Sequence, residues 1–120
     1  MSEQIKVVAI NGSPHGVAGN TGQMIGVIAS HLSGEGMDLE EITLTDKKIE
    51  YCTCCALCLE RSGCWRSDDH REIVGKLLDA DGIILASPVY FKHVTAQMKT
   101  FIDRSQGYSH KPSSESENWR

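Results

Sequence analysis

The run Ile5 to Asn11 (IKVVAIN) constrains the fold more than any other segment of the chain. It is short, almost unbroken in apolar character and rich in β-branched residues, as a strand covered on both faces of a parallel sheet reads. It runs into Asn11-Gly12-Ser13-Pro14, a turn signal, and small residues continue to Gly22. A strand buried on both faces needs helices above and below it, and the downstream pattern supplies them. Met24, Ile25, Ile28, Ala29 and Leu32 recur at helical spacing, with Gly34 and Gly36 suited to stop that helix. Met37 to Leu44 (MDLEEITL) alternates imperfectly and reads as a more exposed strand. Ser67-Asp68-Asp69 offers an N-cap and first-turn acids for a second helix with Ile73, Val74, Leu77 and Leu78 as its buried stripe. Asp81-Gly82 turns the chain into Ile83 to Ser87 (IILAS), a second fully apolar strand stopped by Pro88. A third helix places Val94, Met98, Phe101 and Ile102 on one face, with Lys99, Asp103 and Arg104 off it. Three strands alternating with three helices predict an α/β fold with a parallel sheet and right-handed crossovers.

Length and composition bound the rest. The 120 residues suit one domain. The pattern ends near Arg104, so residues 1–104 read as that domain and 105–120, polar and Ser-rich, as a disordered or loosely docked tail. There is no internal repeat and no domain linker. No apolar run approaches the roughly 18 residues of a membrane span, and no signal peptide precedes the first strand, so a cytoplasmic protein is expected. With 12 basic against 16 acidic residues the formal charge is -4, which argues against nucleic acid held through its phosphates.

Two loops carry candidate binding chemistry. Between the first strand and first helix, Gly12, Gly16, Gly19 and Gly22 let the backbone approach an anion, and Ser13, Asn20 and Thr21 add side-chain donors. A helix start with free N–H groups suits a phosphate there. Neither Gly-x-Gly-x-x-Gly nor a P-loop lysine is present, and an ordinary loop capped by Asn20 or Thr21 is the competing account. Ser87-Pro88-Val89-Tyr90-Phe91 follows the third strand, where open α/β sheets bind ligands. If the first and third strands are neighbours, the two loops border one crevice, and Tyr90 and Phe91 could cover a flat aromatic ligand. The competing account makes both rings core or interface residues.

All five cysteines lie between Cys52 and Cys64, so they cannot staple distant parts of a fold. That bunching points to metal, cluster or redox chemistry. Cys52, Cys55, Cys58 and Cys64 are spaced C-x2-C-x2-C-x5-C, and a [4Fe–4S] cluster needs four such thiolates around one small cube. A redox dithiol and a structural zinc site remain alternatives, since both Cys52/Cys55 and Cys55/Cys58 are CxxC pairs. Cys54 has no role in the four-ligand scheme.

Together, Gly12-Ser13-Pro14 with Asn20-Thr21, the cysteine run, and Ser87-Pro-Val-Tyr-Phe followed by Val94 to Arg104 resemble the NAD(P)H-dependent FMN reductase family, and more narrowly its iron–sulfur flavoprotein branch. The resemblance implies a flavodoxin-like three-layer sandwich. Ser13, His15, Asn20 and Thr21 would hold the FMN phosphate, and Pro88, Val89, Tyr90 and Phe91 would face the ring system. Cys52, Cys55, Cys58 and Cys64 would be the cluster ligands. It implies electron transfer from NAD(P)H or a redox carrier protein through flavin, commonly in a homo-oligomer. This sequence departs from the family pattern in having His15 where arginine is frequent and Cys54 where glycine is frequent. It also ends before the last two strands of a five-stranded sheet, so a catalytically silent fragment or interaction module is the alternative to the oxidoreductase, and a small zinc-binding protein is a third.

Overall fold

A computed structural model describes residues 4–60 and 63–108. Strand β1 spans Lys6–Asn11, α1 Asn20–Gly34, β2 Asp38–Thr43, α2 Asp69–Asp79, β3 Gly82–Ala86 and α3 Ala96–Ser105. The sheet is parallel throughout with order β2-β1-β3. Val8 stands opposite Glu40 on one side and Ile83 on the other, which fixes the register. The expected alternation of three strands and three helices is therefore the observed one, and β1 is the central strand.

Alternation along β1 sends Val8 and Ile10 into one cluster with Ile42, Leu44, Ile73 of α2, and Met98 and Phe101 of α3. Val7 and Ala9 turn to the opposite face and are buried too, while α1 contacts β1 and β2 and buries Ile25. This double cover is why β1 carries no alternation in its sequence. Helix α1 stops where expected: Gly36 takes φ +79°, its N–H reaches Ser33 O at 3.1 Å, and Met37 N–H reaches Leu32 O at 2.9 Å. This pair of bonds is the Schellman arrangement.

The structure corrects several burial expectations. Leu78, expected in a buried stripe, is exposed at 72%, and Met24 and Ile102 of the other two helical patterns are exposed too. A sheet of three strands is too narrow to cover a whole helical stripe, so only its centre (Ile25, Ile73, Met98, Phe101) is sealed. β3 is half-covered rather than buried, with Ile83 at 53% and Leu85 at 52% exposure, because among the described residues it pairs with β1 alone. Arg104, expected off the buried face, is only 2% exposed. It continues the row Met98, Phe101, Arg104, and its charge is met by Asp68 at 2.8 Å. Ser105 still belongs to α3, and Gln106–Tyr108 form a 3-10 turn. The remainder of the expected tail, 109–120, lies outside the described residues. Among the described residues no helix is long and apolar enough to cross a membrane.

Candidate functional site

The β1–α1 loop is organised by a residue that the sequence reading treated only as part of a turn. Asn11 is fully buried at the end of β1. Its Oδ1 accepts the Ser13 N–H at 2.9 Å, and its Nδ2 donates to Gly16 O at 3.2 Å and Glu41 Oε2 at 2.8 Å. Ser13 is buried and its Oγ accepts the His15 N–H at 3.1 Å. Thr21 is buried, whereas His15 and Asn20 are exposed. Neither Asn20 nor Thr21 caps α1: the N-cap is Gly19, and no side chain bonds to the helix start. Gly22 is required by contact, since a Cβ there would lie 2.4 Å from Val17 O.

The β3–α3 loop is joined directly to this one. Gly12 N–H donates to Ala86 O at 2.8 Å, and Thr95 Oγ1 donates to Gly12 O at 2.6 Å. Thr95 also accepts the Met98 N–H as the N-cap of α3, and its own N–H reaches Ser87 Oγ at 3.0 Å. The two loops thus meet at the carboxyl edge of the sheet, as neighbouring β1 and β3 require. Thr95 was missed as a site-organising residue, although a Thr two residues ahead of Gln97-Met98 is a readable cap. Beyond Ser87 and Pro88, Tyr90 and His93 exchange backbone bonds of 2.8 and 3.1 Å around Phe91 (φ +48°) and Lys92 (φ +70°). Positive φ at both central residues is the tight-turn geometry that ordinarily takes glycine or asparagine. The turn throws Phe91 outward to 99% exposure, with Val89 and Tyr90 also exposed. Neither ring belongs to the core.

The cysteine segment forms the second candidate centre. None of the five cysteines forms a disulfide, and all line one cavity of about 160 Å³ against the end of α3, together with Trp65, Arg104 and Gln106. Trp65 Nε1 donates to Cys55 Sγ at 3.3 Å, Gln106 Nε2 to Cys52 Sγ at 3.3 Å, and the Cys54 N–H to Cys52 Sγ at 3.4 Å. The Cys55 thiol is held below its ordinary pKa, first by a backbone bond from Leu57 and then by the Trp65 indole. Cys54 and Ala56 adopt φ of +57° and +66°, so the segment begins as a strained loop, and Leu57–Glu60 follow as a 3-10 turn.

The two stems of this loop are clasped below the cavity. Asp68 accepts from the Glu50 N–H at 2.9 Å, from both Arg104 terminal nitrogens at 2.8 and 2.9 Å, and from the His70 N–H at 3.3 Å as the cap of α2. Arg104 also donates to Glu50 O at 2.6 Å. Burial pushes the Asp68 carboxyl up, but Arg104 and the backbone donors outweigh it and bring it to about 2. His70 is buried against Phe101 and held neutral by burial and the Arg104 charge, so it is a packing residue here.

Among the described residues no three Cys, His, Asp or Glu side chains are gathered around a point that could hold one metal ion. The thiols instead surround a cavity, with N–H donors aimed at two of the sulfurs. A polynuclear cluster takes its thiolates at separate corners, whereas zinc draws four to one tetrahedral centre, so the donor set fits the cluster better.

A three-layer sandwich whose two ligand-side loops meet at the carboxyl edge of a β2-β1-β3 sheet defines a flavodoxin-like α/β protein. The family model for NADPH-dependent FMN reductases matches residues 5–116, and the chain belongs to that family. An iron-sulfur flavoprotein of Archaeoglobus fulgidus is 44% identical over 108 residues, covering 90% of this chain and 49% of the relative. One from Methanocaldococcus jannaschii is 43% identical over 102 residues, covering 85% and 52%. One from Methanosarcina thermophila is 33% identical over 101 residues, covering 84% and 52%. The chain therefore spans about half the length of these relatives. A solved flavone reductase superimposes with a TM-score of 0.67 at 28% identity, covering 84% of this chain and 30% of that one.

Proposed function

We propose that this chain is the FMN-binding and cluster-binding part of an electron-transfer oxidoreductase. The observation that carries the reading is the direct tie between the two loops, Thr95 Oγ1 to Gly12 O, which joins the loop leading to an uncapped helix start to the loop that carries the exposed aromatic rings. Ser13, His15, Asn20 and Thr21 with the first N–H groups of α1 would hold the FMN phosphate, because unpaired helix donors and the positive dipole end favour an anion. Pro88, Val89, Tyr90 and Phe91 would face the flavin ring. Phe91 needs no rearrangement to stack, being wholly exposed. FMN supplies the one- and two-electron chemistry when bound, and the protein's task is to place it and exclude competing reactions. No side chain is assigned as acid or base.

Cys52, Cys55, Cys58 and Cys64 would hold a [4Fe–4S] cluster, with NAD(P)H or a reduced carrier protein as electron donor. The cavity that the thiols share and the iron-sulfur names of the relatives support this part. Anaerobic purification followed by absorption spectra and assays for FMN, iron and sulfide tests it. One FMN and about four irons per chain are expected; a preparation with neither sinks the proposal.

A further inference from the structure

Two cysteines of the run each meet a different side chain from outside the ligand set. Trp65 Nε1 bonds Cys55 Sγ, and Gln106 Nε2 bonds Cys52 Sγ, both at 3.3 Å. Arg104, anchored by Asp68, lines the same cavity as Cys64. Gln106 comes from the turn behind α3, 54 residues from the cysteine it faces. Such a long-range donor is not an incidental neighbour of a loop. A hydrogen bond to a ligand sulfur offsets negative charge, and it does so more in the reduced state, where more charge rests on sulfur.

Resting on the cluster reading above, we propose that Trp65 and Gln106 are positioning residues that hold the Cys55 and Cys52 thiolates and raise the reduction potential of the centre, with Arg104 adding its charge beside Cys64. The potential of the cysteine centre is thereby set in part from α3, the same helix whose first turn locks the opposite loops through Thr95. Trp65 and Gln106 are both exposed, so replacing them removes a donor without opening the core. Trp65→Phe keeps a ring and deletes the N–H. Gln106→Leu deletes the donor, and Gln106→Glu replaces it with an acceptor.

The test uses the full chain, reconstituted anaerobically with iron and sulfide, and reads iron per chain, thermal unfolding and the midpoint potential by spectroscopic redox titration. With parent and variants loaded alike, Trp65→Phe and Gln106→Leu are expected to disfavour reduction about tenfold each, roughly 59 mV lower for one electron. Gln106→Glu falls further than Gln106→Leu. Iron retention under a chelator about 10- to 100-fold weaker, at unchanged unfolding temperature, also supports the assignment. Fully loaded variants with the parent's potential and retention overturn it while leaving the proposed function intact. A parent that takes up no iron overturns both.

Discussion

Cys54 shows how one residue can be both legible and misplaced. The resemblance put glycine at its position in related sequences, and the backbone gives the reason: φ is +57°, where a Cβ is strained. Cys54 nevertheless presents its N–H to Cys52 Sγ, a bond that needs the same backbone turn and no side chain. Cys54→Gly should therefore stabilise the metal-free chain by about 1 kcal/mol, with iron content unchanged. Denaturant unfolding reads this, and a loss of iron would instead make Cys54 a ligand. Gly22 makes the opposite case. Gly22→Ala would press a methyl group into the Val17 backbone, costing about 1–3 kcal/mol and shifting the loop proposed to hold the FMN phosphate. Unfolding and FMN titration of the same variant should both register it, and an unperturbed loop would contradict the contact.

Among the elements, the strands and helices were readable because β1 is apolar from Val7 to Ile10 and the helices repeat apolar residues at helical spacing. The run Ser67-Asp68-Asp69 predicts a cap for α2, and Asp68 is the residue that supplies it. What the pattern did not contain was its second task. Helical spacing put Arg104 among polar residues because an arginine is ordinarily solvated, and only the fold brings Asp68 from 36 residues away to neutralise it. The consequence is a pH dependence. Asp68 has its carboxyl depressed from 3.8 to about 2, so its stabilisation is complete above about pH 4 and is lost as pH falls through about 2. The size is on the order of 2 kcal/mol. Asp68→Asn keeps a capping oxygen but leaves Arg104 without its counter-charge. It should cost about 3 kcal/mol at pH 7 and flatten the stability profile between pH 4 and 2. Denaturant unfolding across that range checks it; a variant with the parent's acid slope would show that other carboxyls dominate.

At the scale of the molecule, the two candidate centres occupy opposite ends of α3, a helix of 10 residues and so about 15 Å long. The sequence located both centres, since the loops and the cysteine run are local motifs. It could not reveal the ties between them, because Gly12 and Thr95 are 83 residues apart and Gln106 and Cys52 are 54 apart. Thr95 is where this architecture is most exposed to test. Its hydroxyl donates to Gly12 O, accepts the Met98 N–H in the first turn of α3, and so links the β1–α1 loop to the β3–α3 loop. Thr95→Val preserves shape and removes both bonds. The unliganded chain should lose about 1 kcal/mol, the usual cost of a cap. FMN binding should weaken about tenfold, because the loops must then be brought together at the ligand's expense. For the parent, FMN at a hundredfold excess over Kd should add about 2.7 kcal/mol of stability, and Thr95→Val should need about ten times more FMN to reach it. Thr95→Ser, which retains the hydroxyl, should recover both quantities. Equal FMN affinity in Thr95→Val and the parent would separate the two loops functionally, and the flavin crevice would then have to be sought elsewhere on the sheet.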